Sequence, residues 1–343
     1  MGFFQNKKQS MDYYCSKINN QISIDEAEKI LKISKENNWT SISSRLIKML
    51  AFKLFDNKKF AQSFDYFLYY VNIHDDIYSD PESAAIFNKM GICENYLNEI
   101  DESIVYLKKA EVTARKFNNL DELKKIYFNL SIAYGKSKDY ELSLHCIQKS
   151  LNIFSSIENT SYYVYAKSCE ANCYVSLKQL DKAISIYKNL LKDIHIDKTT
   201  AYLYNNLACI YIEKGDYKNA ETYNNKSYAL RESSDKNSLS QTMKTKAYIY
   251  ETKEMYDEAI SILNNIISCD TGYDCSVKID SYKMLISLYQ KIKRYDLEKI
   301  TMRDLKQYII SCRNFSSRIS YYKIFINFVA NNLKNILTLS NQK

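Results

Sequence analysis

A small residue recurs along this chain with an aromatic three positions later and a second small residue twelve positions later. The pattern is clearest in Asn205-Asn206-Leu207-Ala208-Cys209-Ile210-Tyr211-Ile212-Glu213-Lys214-Gly215-Asp216-Tyr217-Lys218-Asn219-Ala220. The first small site falls at Cys15, Ala51, Gly91, Ser131, Ala171, Ala208 and Ala247, with Ile286 as a degenerate eighth. The second falls at Ala27, Ser63, Ser103, Ser143, Ala183, Ala220 and Ala259, with Glu298 in the eighth. Steps between first sites are 36, 40, 40, 40, 37, 39 and 39 residues, a period that marks a helical repeat array. Small residues let two antiparallel helices approach closely. The aromatics three after the first site (Tyr134, Tyr174, Tyr211, Tyr250, Tyr289) and nine after it (Phe60, Tyr140, Tyr217, Tyr256, Tyr295) are expected to wedge between neighbouring hairpins. Each hairpin leaves one apolar face that only a neighbour can cover, so stability accumulates along a stack. The expected fold is all-α.

Composition agrees. The 343 residues include five glycines and one proline, Pro81, too few turn residues for sandwiches, barrels or doubly wound sheets. Five glycines cannot be arranged into a dinucleotide or P-loop phosphate cradle. The nine cysteines form no C-x-x-C, and His74, His145 and His195 lie far from one another and from the cysteine pairs. No disulfide framework, metal or cofactor is expected; the thiols read as small hydrophobes in a reducing cytoplasm. Residues 1–10 lack a signal-peptide apolar run, and Ile319 to Leu339 is broken by Lys323, Asn327, Asn331, Asn332 and Lys334, so no membrane association is expected. Residues 276–343 hold 13 Lys or Arg against 4 Asp or Glu, which is +9 of the net +8 and leaves the remainder at −1. The basic end is either a solvated helix surface or a site for an acidic protein or DNA.

Asn206-Leu207-Ala208, Tyr211, Gly215-Asp216-Tyr217 and Ala220 resemble the tetratricopeptide repeat. The resemblance implies a right-handed superhelical solenoid of about eight helical hairpins, with the first helix of each on the concave side. The longer period implies longer helices than usual. Residues 1–75 are expected to form an N-terminal helical segment of two degenerate units, 83–310 the repeat array, and 311–343 a capping helix. The polar stretch His74 to Glu82 marks the boundary. Positions three before, two before, one after and four after the first small site then share one face. They gather Asn88, Asn95, Asn129, Asn172, Asn205 and Asn206, with Lys244 among cations at the ends of the row. An amide offers a donor and an acceptor on one rigid group, which suits the backbone of an extended peptide. Solvated asparagines that meet no ligand are the alternative.

The period, the asparagine-bearing first helices and Phe87-Asn88-Lys89-Met90-Gly91 are similar in style to the intracellular peptide-pheromone receptors of Gram-positive bacteria, among them the Rap phosphatases and the PlcR-like and NprR-like transcription factors. That resemblance implies a short signalling peptide in the groove and an output through a protein or DNA target. Nothing before Trp39 resembles the helix-turn-helix of the transcription-factor branch. The expectation is a cytoplasmic peptide-binding regulator, with a homodimer as a further assembly. A constitutive scaffold is the competing class. No enzyme is expected, since no nucleophile, base and orienter share a motif.

Overall fold

The computed structural model describes residues 11, 13–19, 21–153, 161–193, 197–231, 236–269 and 274–311. The expected capping helix, with Arg313 and Arg318, lies outside them. The chain divides into two compact units, residues 1–179 and 180–343. The first holds α1 (Ile24–Glu36), α2 (Thr40–Asp56), α3 (Phe60–Asn72), α4 (Ser83–Leu97), α5 (Ile100–Lys116), α6 (Leu120–Lys136), α7 (Tyr140–Ile153) and α8 (Ser161–Ser176). The second holds α9 (Leu180–Asp193), α10 (Asp197–Glu213), α11 (Tyr217–Arg231), α12 (Lys236–Thr252), α13 (Tyr256–Ser268), α14 (Cys275–Lys291) and α15 (Tyr295–Ser311). Each of these α-helices has 13 to 17 residues, which with a turn and a connector fills the period. The fold is all-helical, a stack of helical hairpins in each unit.

The small sites are where the helices of a hairpin touch. Ala51, Ser131, Ala208, Ala247, Ser63, Ser103, Ser143, Ala220 and Ala259 are all buried. Where the second site is serine, its hydroxyl crosses to the carbonyl of the first: Ser63 Oγ donates to Ala51 O (2.8 Å), Ser103 Oγ to Gly91 O (2.7 Å) and Ser143 Oγ to Ser131 O (2.7 Å). A Cβ on Gly91 would lie 2.6 Å from Leu107 Cγ and 3.0 Å from Ser103 O. Hydrogen there is a steric requirement. The degenerate eighth hairpin still buries Ile286 and Glu298, the latter accepting a hydrogen bond from Gln290 Nε2.

Turns inside hairpins repeat with the same period. Lys58, Asn98, Lys138, Lys178, Gly215, Glu254 and Lys293 all have positive φ. In each case the next residue's N–H returns to the carbonyl five positions back, as Asp139 N to Tyr134 O and Asp216 N to Tyr211 O, both 2.9 Å. This is the Schellman ending, which normally selects glycine because an L side chain is strained there. Only Gly215 of the seven meets that preference.

Within each unit every helix packs on the next, and the first helices also touch their successors: α4 with α6 and α6 with α8 in one unit, α10 with α12 and α12 with α14 in the other. First helices therefore form a closely spaced inner row. His74 to Glu82 sits inside the first unit, where Ile77 joins a buried core running from Ile18 to Cys146. The aromatics pack in two ways. Phe60 stacks on Tyr96 of the following hairpin (4.2 Å between centroids), whereas Tyr211 stacks on Tyr223 of its own hairpin (5.4 Å). The wedge between neighbours thus holds for Phe60, while Tyr211 braces one hairpin, because α11 presents Tyr223 to it.

Between α5 and α6, Glu111 is buried among donors. Its Oε1 accepts from Arg115 (3.2 Å) and from Tyr127 OH (3.0 Å), and Oε2 from Lys108 Nζ (2.9 Å). Burial alone raises a carboxyl pKa, but the Lys108, Tyr127 and Arg115 hydrogen bonds outweigh it and hold Glu111 below its ordinary value. Burial and Glu111 push the Tyr127 phenol up to about 12.

Three outcomes follow for stability in urea. Gly91→Ala should cost ~1–3 kcal/mol through overpacking, and wild-type stability would break the register. Lys138→Gly should raise stability by up to ~1 kcal/mol, because left-handed strain costs an L residue roughly 1–2 kcal/mol and glycine's greater unfolded freedom returns part of the gain. Because Glu111 titrates lower when folded, its contribution is full above the ordinary value of 4.5 and is lost as pH falls through that value to the depressed one. Glu111→Gln should therefore destabilise at neutral pH and flatten the acid decline, a difference that equal pH profiles would refute.

Candidate functional site

Helix α6 begins where Asn119 caps it, accepting from Glu122 N at 3.0 Å. Glu122, Lys125 and Asn129 then share one face of that helix, as Ala85, Asn88, Lys89 and Ile92 do on α4. With Phe128 and Tyr162 they line a cavity of about 290 Å³ on the inner row of the first unit. Asn88 is buried and both ends of its amide are engaged: Nδ2 donates to Glu122 Oε1 (2.7 Å) and Oδ1 accepts from Asn129 Nδ2 (2.8 Å). Lys125 Nζ holds the other Glu122 oxygen at 3.1 Å. Asn129 is half-buried, and the relay fixes its orientation. Lys89, also lining the cavity, places its ammonium 3.9 Å from the Phe55 ring centroid and 5.4 Å from that of Phe52. Burial lowers its pKa, partly offset by Asp56 and Glu122.

The other asparagines of the first unit are placed differently. Asn95 is buried, and its backbone carbonyl accepts from Lys136 Nζ (2.7 Å). Asn172 is exposed at a second cavity of about 220 Å³, which Cys169, Cys173, Ser131 and Ser143 also line. Burial pushes the Cys169 thiol up to about 12 and raises Cys173, whose Sγ is 3.1 Å from Ser143 Oγ. Burial thus disfavours the thiolate form of both.

In the second unit Asn205 and Asn206 are half-buried on α10. Asn206 Nδ2 donates to the hydroxyl of Tyr187, a fully buried side chain of α9, at 3.1 Å. Asn205 Oδ1 is buried and accepts no hydrogen bond among the described residues. Lys244 is buried with its Nζ 3.6 Å from Asp280 Oδ2, and Lys283 Nζ is 3.4 Å from Asp280 Oδ1. One carboxylate thus pairs with both of these cations, and in the first unit Glu82 pairs with Lys48. At the basic end Lys291 pairs with Glu251 (3.2 Å) and Arg294 with Asp296 (3.4 Å), while Lys299 and Lys306 are exposed.

Sequence reasoning missed Glu122, Lys125, Tyr187 and Asp280. Glu122 carries a readable signal, since it lies seven residues before Asn129 and three after a capping asparagine. Among the described residues no cluster of three or more His, Cys, Asp or Glu could hold a metal, and no helix is long and apolar enough to cross a membrane.

Tetratricopeptide-repeat family profiles match residues 124–156, 163–233 and 199–271. Residues 124–156 and 163–271 therefore match tetratricopeptide repeats. No curated protein sequence matches it. Among solved structures, the quorum sensor NprR from B. thuringiensis in its apo form is similar at 17% identity and a TM-score of 0.55, covering 95% of this chain and 99% of that one. NprR in complex with its cognate peptide NprX gives 18% identity, 0.55, and 90% and 97% coverage. The apo form of RapI gives 19% identity, a TM-score of 0.50, and 73% and 99% coverage. At these identities the likeness is one of fold.

The geometry separates the roles of two asparagines. Asn88→Ala should cost ~1–3 kcal/mol, because it strands buried Glu122 and frees Asn129. Asn129→Ala takes one donor from the buried Asn88 Oδ1 and leaves the Asn88–Glu122 bond in place, so it should cost less, ~0.5–1.5 kcal/mol. Equal losses in a denaturation series would contradict the relay.

Proposed function

We propose that the protein is a cytoplasmic peptide-binding regulator whose inner-row asparagines hold the backbone of a short extended peptide, with output through a protein or DNA target. The observation that carries this reading is the buried Asn205 Oδ1 left without a donor. That atom has almost no accessible surface, so a ligand N–H reaches it only when the side chain turns outward, and the bond then recovers the desolvation cost borne by the free protein. Asn129 supports it from the first unit, since the Asn88–Glu122 relay presents an oriented amide at a cavity wall. Asn95, Asn172, Asn206 and Lys244 belong to the same proposed set. Lys244 acts in it by holding Asp280 in place. The fold's likeness to NprR, whose structure with the peptide NprX is known, is in keeping with this reading.

A constitutive interaction scaffold is the second reading. The observation favouring it is the pairing of Lys48, Lys244 and Lys283 with Glu82 and Asp280, which reduces the charge these three cations offer a peptide carboxylate. A scaffold holds its partner through broad surface complementarity instead.

Native mass spectrometry of the full chain against a pool of short unmodified peptides, followed by calorimetry on the retained peptide, tests the proposal. Asn205→Ala should weaken binding up to about tenfold, as loss of one buried hydrogen bond does. Stability of the free protein should stay level or rise, because the orphan is gone. Full affinity in both Asn205→Ala and Asn129→Ala would overturn the amide-ladder reading, and retention of no peptide would favour the scaffold.

A further inference from the structure

A separate cleft of about 750 Å³ lies in the first unit, between the C-terminal end of α1, the first half of α2 and the C-terminal end of α3. That volume suits a small molecule. Its charge is one-sided: Lys35, Arg45 and Lys48 line it, together with His74 and the hydroxyls of Thr40, Ser41, Ser43 and Ser44, and no carboxylate is among its lining residues. Glu82 answers Lys48 from outside the cleft. Arg45 spends one N–H on Ile18 O (3.2 Å), which leaves four of its five donors. Lys35 is exposed, with its ammonium 4.5 Å from the centroid of the Tyr69 ring.

His74 is held in one orientation by three contacts. Its Nδ1 is 2.9 Å from Tyr70 O, and a carbonyl only accepts, so Nδ1 carries the proton. Its Nε2 is 3.1 Å from Ser44 Oγ, and its ring stacks on Tyr70 with centroids 4.3 Å apart. A fixed imidazole and hydroxyl in an open cationic cleft form a polar floor. The first turn of α2 adds to the field, since it holds no acidic residue and Trp39 gives it no side-chain cap.

We propose that this cleft binds a small phosphate-bearing molecule. A carboxylate carries one charge and needs one cation, whereas a phosphate carries close to two and offers several acceptor oxygens. Arg45 and Lys35 take the phosphate, Thr40 and Ser41 supply hydroxyl donors, and Tyr69 offers a face to an organic ring. The proposed ligand contacts, Arg45, Lys35, Thr40, Ser41 and Tyr69, are not among the residues of the peptide reading, although Lys48, a cation of the asparagine row paired with Glu82, also lines the cleft.

The test is calorimetry on the full chain with two probes, inorganic pyrophosphate and ADP, using wild type, Arg45→Gln, Lys35→Gln and, as a control, Arg303→Gln on α15. Saturable binding is expected, weakened about tenfold in each cleft variant by loss of a charge-assisted contact and unchanged in the control. Tighter binding of ADP than of pyrophosphate identifies a nucleotide-like ligand using Tyr69, and equal binding identifies the phosphate alone. Thermal melts of the variants without probe should match wild type, since all three side chains are exposed. Absence of saturable binding to wild type up to ~10 mM, beyond the range of specific affinity, would overturn the proposal. So would equal weakening in Arg303→Gln, which would mean diffuse attraction to lysine and arginine anywhere on the surface.

Discussion

The close approach of two helices at paired small residues is the constraint on which the rest of this structure depends. At Gly91 the space left for a side chain is less than one methyl group, with Leu107 and the Ser103 carbonyl pressed against the backbone. Such proximity fixes how far each helix can slide or rotate against its partner. The serine hydroxyls that bridge to Ala51, Gly91 and Ser131 carbonyls then make the register directional. Packing alone would tolerate slippage by a turn; a hydrogen bond to one named carbonyl does not.

From that contact the turn chemistry follows. Helices locked twelve residues apart leave a turn of fixed geometry, and one of its residues must be left-handed whatever its identity. Lysine, asparagine and glutamate occupy that position at Lys58, Asn98, Lys138, Lys178, Glu254 and Lys293. Tertiary packing therefore overrides local preference at six of seven turns, and the strain is borne by exposed residues. The scarcity of glycine, which excludes sheet architectures, misleads only about how these turns are made.

Much of the fold was legible in the sequence because its determinants are local and periodic. A small residue, an aromatic and a second small residue lie within one hairpin, so a period of about forty residues exposes all three. The site was legible only as a face. Asn88 and Asn129 could be placed on the inner row, but their pairing spans 41 residues and the Asn88–Glu122 bond 34. Those contacts depend on the offset between successive hairpins, which no single-hairpin pattern encodes. Reading each asparagine as an equivalent clamp fails for the same physical reason: burial engages both ends of the Asn88 amide and leaves Asn129 at the cavity wall. Asp280 was invisible likewise, since its role appears only when α14 is laid beside α12.

Positions that build the stack and positions that face inward occupy different registers of the same helices, and this separation has an energetic consequence. Substitution on the inner row changes polar bookkeeping without touching the close approach, so the two units can treat similar residues differently. In the first unit the amide relay is closed upon itself through Glu122 and Lys125. A ligand there must meet an already oriented, largely satisfied surface, and gains specificity more than affinity. In the second unit Asn205 keeps a buried acceptor unmet, so a donor arriving there recovers a desolvation cost already incurred in folding. The difference is one of donors: Asn129 Nδ2 meets the Asn88 acceptor, whereas no donor among the described residues meets Asn205 Oδ1.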